Sequence, residues 1–321
     1  MAAQTANIQI GKHPTGTTRG GLSLWAKFKR DRFLYLLALP GILYFIIFKY
    51  IPLWGLTIAF QDYSPYDGIF GSEWVGFQHF IRFFTNNDFW LLLRNTLTIS
   101  LANLIFFFPV PIILSLLLNE VGNQGFKRVV QTVVYLPHFL SWVIIFGITY
   151  LMVSSSEGLI NKALVSMGFQ SIDFLTNPDL FVFNVTLQAI WKEAGWGTVI
   201  FLASIAGIDP SLYESAKMDG ASRLRQIWHI TLPCIRHVVI VLLILRMGKI
   251  IDLSFDQIYL MMNGAVSEVA DIFETYVYRN GIQQGDFSYG TAVGLFKSIV
   301  GTTLVLATNK LSKMFGEEGL Y

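Results

Sequence analysis

Six apolar stretches, each long enough to cross a lipid bilayer, constrain the fold of this chain more than any other feature. They lie near 33–60, 90–118, 129–153, 181–206, 237–261 and 289–309. A helix needs about 20 apolar residues to span a hydrocarbon core, so each stretch predicts a transmembrane helix. Only 14% of the residues are charged and 53% are apolar, whereas soluble domains carry about 25% charge. The predicted fold class is therefore all-α integral membrane, with six transmembrane helices.

The distribution of Lys and Arg predicts the orientation of these helices. Cytoplasmic connections of membrane proteins are enriched in these two residues. With the N-terminus inside, most basic residues outside the spans fall in cytoplasmic segments, whereas the outer connections hold only Arg82, Lys162 and Arg279. Both termini are therefore predicted to be cytoplasmic. The outer connections, at 61–89, 154–180 and 262–288, are long enough to form a docking rim for an external partner; the alternative is that they only connect helices.

Residues 1–30 are predicted to form a cytoplasmic N-terminal tail, and residues 31–321 one transmembrane domain. The tail lacks the apolar core of a cleavable signal peptide. The net charge of +2 is too small to indicate a nucleic-acid partner. The single cysteine, Cys234, excludes an internal disulfide framework and a multi-cysteine metal site. We therefore expect no metal centre.

A semi-polar loop at 207–236 separates the fourth and fifth apolar stretches, and the predicted orientation places it in the cytoplasm. Residues from Glu214 to Asp219 are good helix formers, and a helix-start signal at Pro210 precedes them. Gly220 then suits a turn, because glycine adopts positive φ without a steric penalty. The pattern predicts a helix-turn-helix.

The residues that flank this turn are small, and apolar residues follow it. Ala216 and Ala221 keep the turn slim enough to enter a groove on a partner protein. Ile227 and Ile230 recur at helical spacing, and Pro233 is expected to end the element before the next span. The alternative is an amphipathic helix that lies on the membrane surface.

The same loop resembles the sequence signature of permease subunits of ATP-binding-cassette importers, which reads Glu-Ala-Ala, Asp-Gly-Ala, a hydrophobic residue and Leu-Pro. The matching positions are Glu214, Ala216, Asp219, Gly220, Ala221, Ile227, Leu232 and Pro233. Ser215 departs from the usual Ala. The resemblance implies a type I importer permease fold, in which this coupling loop (residues 207–236) contacts an ATPase subunit.

The resemblance extends over roughly residues 30–321 and points to carbohydrate importers. Residues 75–80 and 135–137 are similar to those of carbohydrate-import permeases. Residues 290–298 and 316–321 resemble the branch that imports complex oligosaccharides, including alginate or pectin fragments. The sequence Asn-Gly-Ala at 263–265 replaces the Gly-Gly-Pro that is usual after the fifth span. This departure argues against a maltose-like importer.

By this resemblance, the chain is a permease subunit in a bacterial inner (cytoplasmic) membrane, and it translocates oligosaccharides, including those that contain uronic acids, by alternating access. The implied partners are a second homologous permease subunit, two ATP-binding-cassette ATPase subunits, an extracytoplasmic sugar-binding protein, the oligosaccharide and membrane lipid. ATP and Mg would bind to the ATPase subunits, and no cofactor to this chain. Because the sequence has no Gly-x4-Gly-Lys-Ser/Thr phosphate loop, we do not expect an enzyme. An ion-coupled carrier or passive channel is the alternative.

Charged residues in the fifth apolar stretch predict a polar surface inside the membrane. Arg246, Lys249, Asp252 and Asp256 would fall on one side of a single helix. Because an ion at mid-membrane costs about 2.5–3.5 kcal/mol on insertion scales, this stripe must face protein or water. The candidates for the substrate pathway here are Lys249, Asp252, Asp256 and Tyr259. Internal pairing of Lys249 with an acid, which would only hold helices together, is the alternative.

The fourth apolar stretch carries a second set of candidates for the substrate pathway. Asn184, Gln188 and Trp191 share a helix face, and Glu193 lies nearby. Proteins bind sugars by stacking aromatic rings on their apolar faces and by pairing planar polar groups with hydroxyls, and this face offers both. Hydrogen bonding between helices is the alternative role.

Three intramembrane lysines are further candidates, because a lone cation would meet the carboxylate of a uronate. They are Lys192, Lys249 and Lys297.

Overall fold

The computed structural model describes residues 31–314, and most of them are helical. Among these residues, four helices are long and apolar enough to cross a membrane: Arg32–Phe60, Asp88–Glu120, Arg223–Gly248 and Phe287–Met314. Two bent pairs of helices pass the same test, which brings the number of candidate spans to as many as six. The predicted all-α membrane fold is confirmed. The predicted tail at 1–30 and the final residues 315–321 lie outside the described residues.

The secondary structure is a series of helices with one small antiparallel sheet. The α-helices are Arg32–Phe45, Gly68–Gly71, Gln78–Thr85, Asp88–Ala102, Pro109–Glu120, Gln124–Tyr135, Trp142–Val153, Leu159–Ser166, Pro178–Ala206, Pro210–Met218, Arg223–Gln226, Leu232–Gly248, Phe255–Met261, Ser267–Ala270, Phe273–Val277 and Phe287–Met314. The π-helical turns are Ile46–Tyr50, Asn103–Phe107, Ile227–Thr231 and Tyr278–Gln283, and the 3-10 segments are Ile51–Phe60 and Leu136–Phe139. Strand β1, Gln61–Asp62, pairs with β2, Glu73–Trp74.

The described residues fall into two compact units, which divide between Gly55 and Leu56. The first unit contains the beginning of the first long helix. The second contains all remaining elements and three clusters of buried apolar side chains. One cluster is rich in aromatic rings, among them Phe83, Phe273 and Tyr289. It joins the short helices of the long connections to the beginning of the last helix.

In three of the described long helices, a π-helical turn stands just before a proline. Pro52, Pro109 and Pro233 each stand two residues after such a turn ends. In a regular α-helix, proline clashes with the carbonyl group four residues earlier. The π turn widens the backbone at that point, and the helix continues. Pro233 therefore lies inside the continuous helix Arg223–Gly248, and the prediction that it ends the element is wrong.

The stretch near 129–153, expected to cross the membrane as one span, is broken near its middle. Gln124–Phe139 and Trp142–Val153 meet at an angle of 107°. Pro137 lies just before the break, and Ser141 caps the new helix by accepting a hydrogen bond from the N–H of Ile144. Proline favours an early end of the first helix, and a serine N-cap favours the start of the second.

The predicted span at 237–261 is wrong in both its bounds and its continuity. The long helix begins at Arg223 and ends at Gly248, and a second short helix, Phe255–Met261, follows. Residues 249–254, which we call the unwound segment, lie between them without helical structure. The predicted stripe assumed one continuous helix, and it does not exist as a single helix face.

The long helix Pro178–Ala206 packs against two neighbours through glycine. A methyl group added at Gly195 would meet the backbone carbonyl of Val134, and one added at Gly197 would meet the ring of Pro111. These positions therefore allow close approach of the helices, as small residues do in membrane proteins. Gly147, in Trp142–Val153, has open space at the same position.

We expect Gly195→Ala to destabilise the protein by about 2 kcal/mol or more, because overpacking against a backbone carbonyl cannot be relieved by a side-chain rotation. Gly147→Ala is the matched control, since the added methyl group meets nothing. Thermal unfolding of both variants in detergent measures the difference. Equal unfolding temperatures would contradict the close packing at Gly195.

Candidate functional site

The coupling loop begins with a capped helix. Asp209 accepts a hydrogen bond from the backbone N–H of Ser211 at 2.9 Å, and the helix Pro210–Met218 follows. Hydrogen bonds from the backbone N–H and hydroxyl of Ser211 lower the pKa of Asp209. An ionised carboxylate is a good N-cap because it pairs with otherwise unbonded N–H groups. The Asp209-Pro210 pair therefore fixes where this arm starts.

Gly220 ends this helix with a tight turn. Its φ is 74°, in the left-handed region that costs other residues about 1–2 kcal/mol. The N–H of Gly220 bonds to the carbonyl of Lys217 at 3.0 Å, and the N–H of Ala221 bonds to the carbonyl of Ala216 at 2.9 Å. These two bonds define a Schellman motif, which commonly ends helices at glycine.

The second arm starts directly after the turn and runs without interruption into the membrane helix. Ser222 caps Arg223–Gln226 by accepting a bond from the N–H of Arg225. The side-chain amide of Gln226 donates to the carbonyl of Ala221 at 2.9 Å and so closes the inside of the elbow. Ile227 and Leu232 are half-buried within the same continuous helix, Arg223–Gly248.

Two further side-chain contacts stabilise the coupling loop, one within it and one to a neighbouring helix. The hydroxyl groups of Tyr213 and Thr231 lie 2.9 Å apart and join the two arms. Arg223 forms an ion pair at 3.2 Å with Glu120, at the end of the second long helix. Within the described residues, the loop is thus a compact unit held by hydrogen bonds rather than a free connection.

The outer surface of the coupling loop is exposed and partly apolar. Glu214 and Asp219 are exposed, as are the large side chains of Met218, Leu224 and Trp228. Met218 is 89% exposed in the first arm. An exposed cluster of large apolar side chains, rimmed by charges, is typical of a protein-interaction surface. The sequence analysis had identified the charged and small positions of this surface but not the apolar ones.

A cavity of about 550 Å³ lies between the long helices, and we call it the central cavity. Its polar and aromatic lining residues are Asn103, Phe107, Trp142, Glu193, Trp196, Arg246, Lys249, Asp252, Ser254 and Gln257. Three predicted candidates therefore come together here: Glu193, Lys249 and Asp252. The cavity combines indole rings, amides and charges, a set of groups that binds sugars.

The acid Glu193 in this cavity is already partnered. Its carboxylate bonds to Nδ1 of His138 at 2.7 Å and lies 3.4 Å from the ammonium of Lys192. The ring of His138 stacks on that of Trp196, with centroids 4.7 Å apart. These contacts fix one wall of the central cavity, including the indole of Trp196.

Lys192, a predicted partner for a uronate, is instead used by the backbone. It is only 6% exposed, and its ammonium donates to the carbonyls of His138 at 2.7 Å and Leu140 at 2.8 Å. Both carbonyls lie at the 107° break, where helical hydrogen bonding stops. Lys192 thus provides hydrogen bonds to the backbone carbonyls at the break, and its ammonium is not free to bind substrate.

The acid Asp252 is also partnered, whereas two cations of the cavity are not. The ammonium of Lys297 lies 3.6 Å from Asp252 and bonds to the carboxylate of Glu274. Among residues 31–314, neither Arg246 nor Lys249 forms an ion pair. The guanidinium of Arg246 lies over the ring of Phe107 and interacts with the charge of Glu193 without forming an ion pair with it. The unpaired charge in the central cavity is therefore positive.

Asn184, Gln188 and Trp191 do not line the central cavity. The amide of Asn184 donates to the carbonyl of Phe174 at 2.5 Å, and that of Gln188 donates to the hydroxyl of Thr149 at 2.8 Å. With Trp191, which is half-exposed, they border a separate groove that is almost entirely apolar. Their contacts match the alternative role of hydrogen bonding between segments.

Asp256 and Tyr259 lie on Phe255–Met261 but outside the central cavity. Asp256 is exposed. The ring of Tyr259 stacks on Phe255, with centroids 5.0 Å apart, and contacts the edge of Tyr278. The structure thus separates these two residues from Lys249 and Asp252, because the unwound segment turns the chain between them.

Sequence reasoning missed several residues of the central cavity, notably Trp142, Trp196 and Asn103. Trp142 is the first residue of the helix after the 107° break, and the centre of its ring is 5.4 Å from the ammonium of Lys192. Trp196 is four residues beyond Lys192 on the same helix, a spacing that could have drawn attention to it. No local signal marks Asn103, which reaches the cavity through helix packing.

An exposed helix-turn-helix, joined by one helix to a polar cavity between broken spans, defines this protein as a permease subunit of an ATP-binding-cassette importer. Residues 107–315 match the family described as "Binding-protein-dependent transport system inner membrane component", and the chain belongs to this family. The predicted importer permease is confirmed, and nothing supports an ion-coupled carrier or passive channel.

Relatives and solved structures agree over nearly the whole chain. The polygalacturonan/rhamnogalacturonan transport system permease protein YteP of Bacillus subtilis (strain 168) is 55% identical, with 93% of each chain covered. Protein LplB of the same organism is 54% identical over 96% of this chain and 97% of its own. A chain of a bacterial alginate ABC transporter, crystallised with an alginate pentasaccharide-bound periplasmic protein, has a TM-score of 0.85 and 41% identity, covering 92% of this chain and 99% of its own.

We expect Lys192→Met to lower the free energy of unfolding by about 2 kcal/mol or more, because two carbonyls at the break lose their donor. Thermal unfolding of the purified protein measures this effect. Lys162→Met, at an exposed position in Leu159–Ser166, is the matched control. An unchanged unfolding temperature for Lys192→Met would contradict the role of Lys192 at the break.

Proposed function

We propose that this chain is the transmembrane subunit of an ATP-driven importer that translocates oligosaccharides containing uronic acids. The observation that carries the substrate class is the pair of unpaired cations, Arg246 and Lys249, in the central cavity. A carboxylate of the substrate would supply their missing partner, since a hydrogen bond between charged groups is about twice as strong as one between neutral groups. The indole rings of Trp142 and Trp196 would stack on the sugar rings.

The names of similar proteins support an acidic substrate. One relative is a permease for polygalacturonan or rhamnogalacturonan, and the transporter in the similar structure is bound to a protein that carries an alginate pentasaccharide. These polymers contain uronic acid residues, and each such residue carries one carboxylate. Such a substrate carries its charges at regular intervals, which suits a cavity with two neighbouring cations.

The proposed assembly contains a second permease subunit, two ATPase subunits and an extracytoplasmic sugar-binding protein. The exposed coupling loop would contact an ATPase subunit in three ways. Glu214 and Asp219 would form charged contacts, and Met218 and Leu224 would form apolar contacts. The small residues Ala216, Gly220 and Ala221 would let the turn fit into a groove of the ATPase. ATP and Mg would bind to the ATPases. In a bacterial cytoplasmic membrane with both termini inside, ATP-driven closure of the ATPases would move the loop and switch the cavity between its two openings.

We expect Gly220→Trp to abolish transport while the chain remains in the membrane. A Cβ atom added at this position has no neighbour within 4 Å and the turn is exposed, so we expect folding to lose mainly the cost of a strained φ, about 1–2 kcal/mol. An indole group on the exposed turn, however, would prevent entry into a partner groove. Uptake and membrane content measured on the same cells separate the two effects.

Gly168→Trp is the matched control for this experiment. Gly168 also has a positive φ, ends its helix in the same pattern of two hydrogen bonds and has open space around it. It therefore imposes the same backbone cost away from the coupling loop. Membrane content lost equally in both variants, or transport retained in Gly220→Trp, would contradict docking at Gly220.

We expect Lys249→Gln to reduce transport of oligogalacturonate about 10-fold or more at limiting substrate, because a hydrogen bond to a charged group contributes about 1.5–3 kcal/mol. Transport of a neutral oligosaccharide of equal length, where the importer accepts one, should change much less. Uptake and ATP hydrolysis by the purified complex report this split. Unchanged oligogalacturonate uptake, or an equal loss for both sugars, would contradict recognition of a carboxylate by Lys249.

A further inference from the structure

The unwound segment, residues 249–254, carries Lys249 and Asp252 into the central cavity. A segment without helical hydrogen bonds would be free to move unless other parts of the fold hold it. Three of its N–H groups donate hydrogen bonds within short turns, to the carbonyls of residues 246, 247 and 249. Two further backbone groups, the carbonyl of Ile250 and the N–H of Leu253, bond to side chains of distant elements.

Glu274 holds the far end of the unwound segment. Its Oε1 atom accepts a hydrogen bond from the N–H of Leu253 at 3.2 Å. The same atom accepts a bond from the ammonium of Lys297, which comes from the last long helix. One carboxylate oxygen therefore joins the helix Phe273–Val277, the helix Phe287–Met314 and the unwound segment.

Burial strengthens the hydrogen bonds between Glu274, Lys297 and the N–H of Leu253. The side chains of Glu274 and Lys297 are 9% and 16% exposed. Charged hydrogen bonds are stronger where water is excluded. The other oxygen of Glu274, Oε2, is buried without a hydrogen-bond partner among residues 31–314, so the whole hydrogen bonding of this carboxylate passes through Oε1.

Lys297 also determines the charge of the cavity. Its ammonium lies 3.6 Å from Asp252, the acid that stands three residues after Lys249. As long as Glu274 holds Lys297, this cation is shared between two acids. If Glu274 lost its charge, Lys297 could pair with Asp252 alone, and Leu253 would lose its charged acceptor.

We propose that Glu274 and Lys297, which we call the brace, are positioning residues for substrate recognition. The brace holds the unwound segment so that Lys249 and Asp252 face the central cavity, although neither brace residue lines that cavity. The inference rests on the proposed function for its substrate, but the geometry of the brace can be tested without any sugar.

The test uses one reporter cysteine in the full chain in its native membranes. Ser254 is exposed, lines the central cavity and makes no capping bond, so Ser254→Cys places a thiol at the end of the unwound segment. Cys234→Ser removes the native cysteine. The rate at which a small hydrophilic thiol reagent modifies the reporter then measures how firmly the segment is held.

Without sugar, we expect Glu274→Gln and Lys297→Met to raise the modification rate at least 3-fold. Lys297→Arg, which keeps a cation at this position, should restore a rate within 2-fold of that of the unmodified brace. Arg82→Gln is the matched control: it removes a different ion pair, that with Asp286, which does not contact the segment. Rates that stay within 2-fold in both brace variants, or rise equally in Arg82→Gln, would overturn the brace.

A second readout adds oligogalacturonate and measures the concentration that half-protects the reporter thiol. We expect this concentration to rise about 10-fold in the brace variants, while the maximal rate of ATP hydrolysis by the complex changes less than 3-fold. A general folding defect would lower the maximal rate in proportion to the amount of intact complex and leave the half-protecting concentration unchanged, which would overturn the proposal.

The two readouts distinguish the brace from the proposed substrate. If oligogalacturonate does not protect the reporter even with an intact brace, the proposed acidic substrate is wrong. The modification rates without sugar still show whether the brace holds the unwound segment. If Glu274→Gln does not accumulate in membranes, Lys297→Met and Lys297→Arg provide the comparison, because only the latter keeps the ion pair. Equal rates for these two would also overturn the proposal.

Discussion

Backbone N–H and C=O groups inside a bilayer have no water to bond to, and two interruptions of helices in this protein meet this requirement with side chains. At the 107° break, the ammonium of Lys192 binds two carbonyls that have left the helix. At the unwound segment, Ser100 and Glu274 perform the corresponding task for one carbonyl and one N–H. Both interruptions border the central cavity, so the residues that satisfy the backbone also shape the site.

Because some charged side chains bond to the protein itself, they are not available to a ligand, whereas others are. Lys192 and Lys297 are buried and bonded within the protein. Arg246 and Lys249 line the cavity without an ion pair among residues 31–314. The sequence alone does not distinguish the first pair of cations from the second. The N–H donors of the first pair are used inside the protein, whereas Arg246 and Lys249 keep donors that a substrate can bind.

The coupling loop could be predicted from sequence because its determinants are local. Asp209 and Ser222 each cap a helix that starts at the next residue, and Gly220 ends one, so every signal acts within four residues. The central cavity could not be predicted in this way. The unwound segment follows Gly248 without a proline, and its partners are about 150 and 20 residues distant in sequence. The sequence analysis assumes one continuous helix, with 100° per residue, and so predicts Asp256 on the same side as Lys249. In the structure, the chain turns between these two residues.

The continuous helix Arg223–Gly248 links the two sites mechanically. Its 26 residues span about 39 Å at 1.5 Å per residue; one end forms the second arm of the coupling loop, and the other leads directly to Lys249. The bond between Tyr213 and Thr231 joins the first arm to this helix. A displacement of the loop must therefore move the helix or bend it at its π turn, Ile227–Thr231. Because the brace holds the segment beyond Gly248 against the last helix, motion of Arg223–Gly248 would change the position of Lys249 relative to both walls of the cavity.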